Sequence, residues 1–133
     1  MSREQIEQPT GAVDAVLAEV RTRLHRVDPE AAAAILRDGG VMVDIRPSEL
    51  RAAEGEIPGS LVIDRNVLEW RLDPTGAHRH PDAGSPARAV VVFCQEGYAS
   101  SFAVESLVRL GLERVSDLEG GFAAWRAAGL PVR

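Results

Sequence analysis

Cys94 is the single cysteine of this 133-residue chain, and its neighbours set what it can do. The apolar run Ala89-Val90-Val91-Val92-Phe93 leads into it, and Gln95, Glu96, Gly97, Tyr98, Ala99, Ser100 and Ser101 follow. Phe102, Val104, Leu107, Val108 and Leu110 then recur at helical spacing. A strand, a short loop and a helix in that order turn several backbone N–H groups into the loop, where the helix dipole adds to them. A thiol held there is favoured as the thiolate, the form that acts as a nucleophile. Gly97 permits a tight turn. Ser100 and Ser101 are placed to cap the helix and to offer hydroxyls to a bound anion. A lone cysteine elsewhere in a small domain is usually an apolar filler. The place of Cys94 at the end of its strand favours the nucleophile. One cysteine also excludes an internal disulfide and a multi-thiolate zinc site.

Other polar residues are candidates for a supporting part. Asp44 and Arg46 end the apolar run Val41-Met42-Val43. They either face the site, Arg46 supplying charge, or form an Arg–carboxylate pair with Glu49, Glu54 or Glu56 that pins the following loop; the second is favoured. Arg65 and Arg71 flank Trp70. They either reach over the Cys94 loop or lie on a solvated helix face with Trp70 packed beneath, and again the second is favoured. His78 and His80 lie two apart without an evident third ligand, so no metal site is expected.

These residues need elements to hold them. Val13, Val16, Leu17, Val20 and Leu24 mark an N-terminal helix, with Thr10 as its cap and Met1 to Gln8 as a tail. Arg26-Val27-Asp28 is ambiguous. Asp28-Pro29-Glu30 starts a helix over 29–37, which Gly39 and Gly40 close. Val41 to Ile45, Leu61 to Ile63 and Ala89 to Phe93 are short apolar runs of the kind that fill a parallel sheet, and Val115 to Leu118 is expected as the last strand. Helices are expected over 47–53 and 121–128, with one or two helical turns within 65–74 and a long loop over 75–86. Strands alternating with helices predict an α/β fold with a mostly parallel sheet, its ligand site beyond the carboxyl ends of the strands.

Composition agrees with one globular domain: 45% apolar and 26% charged residues. Fifteen arginines and no lysine stand against 20 acids, a net charge of −5. Such a chain lacks the basic stripe that nucleic acid requires. No apolar run is long enough to span a bilayer, and no signal peptide opens the chain. A free thiol and the lack of a leader predict a cytoplasmic protein.

The chain resembles the rhodanese-like domain over about Val27 to Val132. Val43-Asp44-Ile45-Arg46 is similar to that family's strand ending in Asp-x-Arg, and Gly55-Glu56-Ile57-Pro58-Gly59-Ser60 to its Gly-His-Ile-Pro-Gly-Ala segment. Val92 to Ser100 resembles its active-site strand and loop, and Leu118-Glu119-Gly120-Gly121-Phe122-Ala123-Ala124-Trp125 its last strand and helix. The resemblance implies an α/β sandwich with a central, mostly parallel sheet of about five strands flanked by helices. An N-terminal tail and extra helix over 1–24 would precede a domain over 25–133. It implies a sulfurtransferase in which Cys94 carries sulfane sulfur as a persulfide. The sulfur would come from thiosulfate or a persulfide and pass to cyanide, a thiol or an acceptor protein. The N–H groups of Gln95, Glu96, Gly97, Tyr98, Ala99 and Ser100 would stabilise the charge, without cofactor or metal.

The family's thiosulfate-using members usually carry Arg or Lys where this chain has Gln95 and Ala99, and Glu96 adds a negative charge. That contrast favours a persulfide donor, and it leaves a non-catalytic binding or regulatory module as the alternative. An oxidation-sensing thiol is a minor further reading. Phosphatase relatives have a longer loop closed by an Arg, which is missing here.

Overall fold

Residues 11–83 and 85–133 are described by the computed structural model. The expected tail over Met1 to Gln8 and the Thr10 cap lie outside them. Helix α1 (Ala12–Arg21) precedes β1 (Arg26–Val27), α2 (Pro29–Arg37), β2 (Val41–Asp44), α3 (Ser48–Glu54) and β3 (Leu61–Val62). A 3₁₀ turn (Arg65–Val67) leads into α4 (Leu68–Leu72), and a second 3₁₀ turn (Pro81–Ala83) interrupts the long loop. Strand β4 (Val90–Phe93), α5 (Ala99–Arg109), β5 (Val115–Leu118) and α6 (Gly121–Ala127) complete the chain. The ambiguous segment at Arg26-Val27 is a strand, and the loop expected over 75–86 contains a helical turn.

The five strands form one sheet in the order β1-β5-β4-β2-β3, and every pairing is parallel. The α/β class and the sheet size follow the expectation. Alternation along β2 and β4 divides the core in two. Val41, Val43, Val90, Val92 and Cys94 face one side, with Leu68, Leu72, Ala103, Val104 and Leu107 from α4 and α5. Met42, Val91 and Phe93 face the other, with Ala32 of α2 and Phe122 and Trp125 of α6. All four residues of β2 and of β4 are buried, which explains the unbroken apolar runs.

Asp28 caps α2, its carboxylate accepting from the Ala31 N–H at 2.8 Å, and Pro29 occupies the first helical position. Helix α1 lies on α5 and buries only Leu17 and Val20. Val13 and Val16, expected in its buried stripe, are 63% and 52% exposed. Trp70 is also exposed, because α4 spends its one buried side on Leu68 and Leu72.

Candidate active site

The loop after β4 folds around Cys94 Sγ. The Gly97 N–H donates to the sulfur at 3.2 Å and the Ser100 N–H at 3.4 Å. The second donor belongs to the first turn of α5, so the positive end of that 11-residue helix faces the sulfur. Gly97 has φ +88°, and a Cβ there would lie 2.8 Å from the Gly120 nitrogen. Glycine is therefore required on both steric counts.

The loop is fastened from outside by its carbonyls. The N–H groups of Phe122 and Ala123, at the start of α6, donate to the Cys94 and Gln95 carbonyls at 2.9 Å each. Gly121 permits that approach, since a Cβ on it would stand 2.5 Å from the Cys94 oxygen. In a trans peptide the N–H points opposite to the C=O. Carbonyls drawn outward therefore aim the amides of Gln95 and Glu96 inward.

Behind the sulfur lies a buried polar cluster. The Cys94 thiol donates to Ser100 Oγ at 3.3 Å. The Ser100 and Ser101 hydroxyls donate to the two carboxylate oxygens of Asp117, which is fully buried. Arg26 Nε donates to the same carboxylate at 2.8 Å. The two serines were expected to cap α5 and serve an anion. They do not cap it: Tyr98 holds the cap position, and both serines sit within the first turn, their hydroxyls given to Asp117.

Beside the loop the structure also places Arg46, wholly buried. It grips Asp44 through Nε and Nη2, donates to the Gly55 carbonyl at 2.7 Å and reaches Gln95 Oε1 at 2.9 Å. Its guanidinium stacks over Phe122, 4.2 Å from the ring centroid. The Arg–carboxylate pair expected for this segment exists, but the partner is Asp44. Glu54 accepts from Gln95 Nε2 at 3.1 Å, and Glu56 pairs with Arg51 and Arg133.

A pocket of about 400 Å³ opens over the sulfur. Its floor is Cys94, which is 8% exposed, and its rim includes Gln95, Glu96, Tyr98 and Ala99. Ile45, Pro47 and Leu50 form an apolar wall, with Arg46 and Arg65 at the edges. Arg65 is held by Glu69 at 3.0 Å, and the Ser106 hydroxyl also donates to Glu69. Burial opposes the charge on Glu69, but Ser106 and Arg65 outweigh it and hold the carboxyl below its ordinary value. Arg71 does not join the site; it donates to the His78 carbonyl at 2.8 Å and braces the long loop. His80 Nδ1 accepts from the Asp82 N–H. Among the described residues no group of three or more His, Cys, Asp or Glu is arranged to hold a metal, and no helix is long and apolar enough to cross a membrane.

Sequence reading missed Asp117, Arg26 and Arg21, and it offered Glu54 as a partner for Arg46 where the structure pairs it with Gln95. An acid inside a short strand, with an Arg in another short strand, was the available signal for Asp117.

Comparison with known proteins adds independent observations. The chain is 33% identical over 106 residues to the thiosulfate sulfurtransferase GlpE of Pseudomonas entomophila, covering 80% of this chain and 88% of that one. It is 31% identical over 112 residues to a sulfurtransferase of Allochromatium vinosum, covering 82% and 94%. A solved protein of unknown function from Rhodopseudomonas palustris, described as a possible tyrosine phosphatase, superposes with TM-score 0.81 at 32% identity, covering 96% and 98%. The family model of the rhodanese-like domain matches residues 28–128, and by that match and these relatives the chain belongs to the rhodanese-like domain family.

Proposed function

We propose that this protein is a sulfurtransferase that carries sulfane sulfur on Cys94. The observation that carries the reading is one sulfur atom at the floor of an open pocket, accepting two backbone N–H groups. As the thiolate, Cys94 attacks the outer sulfur of the donor. The donor's sulfur–sulfur bond breaks, its electron pair leaves with the donor's remainder, a thiolate from an organic persulfide or sulfite from thiosulfate, and a Cys94 persulfide forms. An acceptor thiolate or cyanide then attacks the outer sulfur of that persulfide. The bond to Sγ breaks, and Cys94 is returned as the thiolate. A covalent intermediate thus divides the transfer into two displacements. The loop amides answer the negative charge in both. Gln95, Glu96, Gly97, Tyr98, Ala99 and Ser100 form the cradle, Arg46 and Asp44 hold its flank, and Arg65 edges the pocket.

The pocket favours an organic persulfide over thiosulfate as donor. Its wall is apolar, and Arg46 directs its Nε and Nη2 hydrogen bonds to Asp44 and Gly55 and an Nη1 bond to Gln95. Glu96 at the rim repels a dianion. A phosphatase reading gains no support, since no arginine in the loop is placed to grip a phosphoryl group.

Incubating the reduced protein with glutathione persulfide or thiosulfate and weighing it intact tests the proposal. Gain of one sulfur atom's mass, lost again on adding cyanide and absent from Cys94→Ser, is expected. No adduct from any donor sinks the sulfurtransferase and leaves a binding or regulatory module.

A further inference from the structure

The Gly97 carbonyl is the third loop carbonyl held from outside, and its holders are two arginines. Arg21 Nη2 donates to it at 2.6 Å and Arg26 Nη2 at 3.3 Å. Arg21 also donates through Nε to Ser101 Oγ at 3.1 Å, and its guanidinium lies 5.6 Å from the Tyr98 ring centroid. It therefore touches the loop at Gly97, Tyr98 and Ser101 together. The flanking N–H of Gly97 donates to the sulfur, and the trans peptide that follows aims the Tyr98 N–H away from the two guanidinium groups. Arg21 ends α1, and both arginines precede the residues matched by the family model.

We propose that Arg21 is a positioning residue for the Cys94 loop, and that α1 is thereby a working part of the site. It locks the plane of the Gly97–Tyr98 peptide so that loop amides face the sulfur. It also places, behind the loop, a cation of the kind that Gln95 and Ala99 do not provide within it. A planar fork suits this task, because one guanidinium meets a carbonyl and a hydroxyl in fixed geometry. The inference rests on Cys94 being the reactive sulfur.

The test compares Arg21→Met and Arg21→Lys with the wild-type chain. Three quantities are measured: the rate of Cys94 alkylation by iodoacetamide at fixed pH, kcat and KM with glutathione persulfide, and the urea unfolding midpoint. Loss of a charge-assisted hydrogen bond predicts a fall of about tenfold in alkylation rate and kcat for Arg21→Met, with KM little changed. Arg21→Lys should recover part of both rates, since an ammonium reaches the carbonyl but cannot also span to Ser101. Wild-type rates in both variants overturn the proposal, as does a loss in Arg21→Met that its unfolded fraction accounts for. Should Arg21→Met fail to fold, Arg21→Lys alone decides: wild-type rates overturn, reduced rates in a folded protein support. If no persulfide forms even on the wild type, the sulfurtransferase reading falls, yet the alkylation rates still judge Arg21.

Discussion

Arg26 and Asp117 face one another across β1 and β5, directly in register, with Nε 2.8 Å from the carboxylate. The same register places Val92 beside Asp117, and Cys94 lies two residues beyond Val92 on the same face of the sheet. Pleat alternation alone thus brings a partly buried ion pair up behind the Cys94 sulfur. Ser100 and Ser101 on α5 fill the space between them.

That pair should be costly to break from one side. In Asp117→Ala the Arg26 charge and two buried hydroxyls lose their acceptor, and the expected loss of stability is about 3 kcal/mol. Asp117→Asn retains one carbonyl oxygen for the serines and should lose roughly half as much. Urea unfolding of the two variants measures the difference. Equal, small losses would show that the cluster contributes little.

The glycines at the two ends of α6 should separate strain from function. Gly121 and Gly129 both have positive φ, +60° and +76°. A Cβ on Gly129 meets nothing within 4 Å, whereas one on Gly121 meets the Cys94 oxygen at 2.5 Å and the Gln95 carbonyl carbon at 2.8 Å. Each substitution by alanine should lose about 1 kcal/mol through backbone strain. Only Gly121→Ala should also slow Cys94 alkylation, because only it displaces the loop. Alkylation and unfolding measured on the same preparations check both halves.

How much of this was legible beforehand follows from where each signal resides. Cys94 and its loop are contiguous, so strand, turn and helix could be read together. Asp117 is bonded to Arg26 from 91 positions away, and no local pattern marks an acid in a four-residue strand as paired. Helical periodicity found α1 but overstated its buried stripe, because only the Leu17 and Val20 side meets α5. It could not reveal that Arg21, at the last turn, reaches the loop. The serines misled for a related reason. Caps are read from residue type, but α5 begins at Ala99, and that start rotates both hydroxyls toward the sheet.

Glu96 should set the choice of donor. Its carboxylate stands at the pocket rim without a hydrogen bond to another described side chain. In Glu96→Gln, kcat/KM for thiosulfate should rise about threefold at low ionic strength, and the gain should shrink with added salt. An uncharged donor should show no such gain. Initial rates with both donors across a salt series decide the matter. A salt-independent change would mean that the side chain acts by contact, not by charge.

Glu69 ties the pocket edge to α5 and gives stability a defined pH response. The carboxyl, ordinarily titrating near 4.5, is held lower in the folded protein. Burial works against that shift, but the Ser106 hydroxyl and Arg65 prevail. An acid with a depressed folded value binds protons more readily when unfolded, so its contribution is complete above the unfolded value and disappears as pH falls through the folded one. The side chain is partly exposed, so the whole contribution is only about 0.5 kcal/mol. Glu69→Gln should therefore be less stable than wild type at neutral pH and should converge on it well below pH 4.5. Urea midpoints taken down the acid range measure that convergence. Parallel curves for the two proteins would mean that Glu69 titrates alike in the folded and unfolded chain and that Ser106 and Arg65 do not depress it. The same variant frees Arg65, so binding of an anionic donor at neutral pH should tighten while stability falls, a pair of opposite effects that simple loosening of the fold cannot produce.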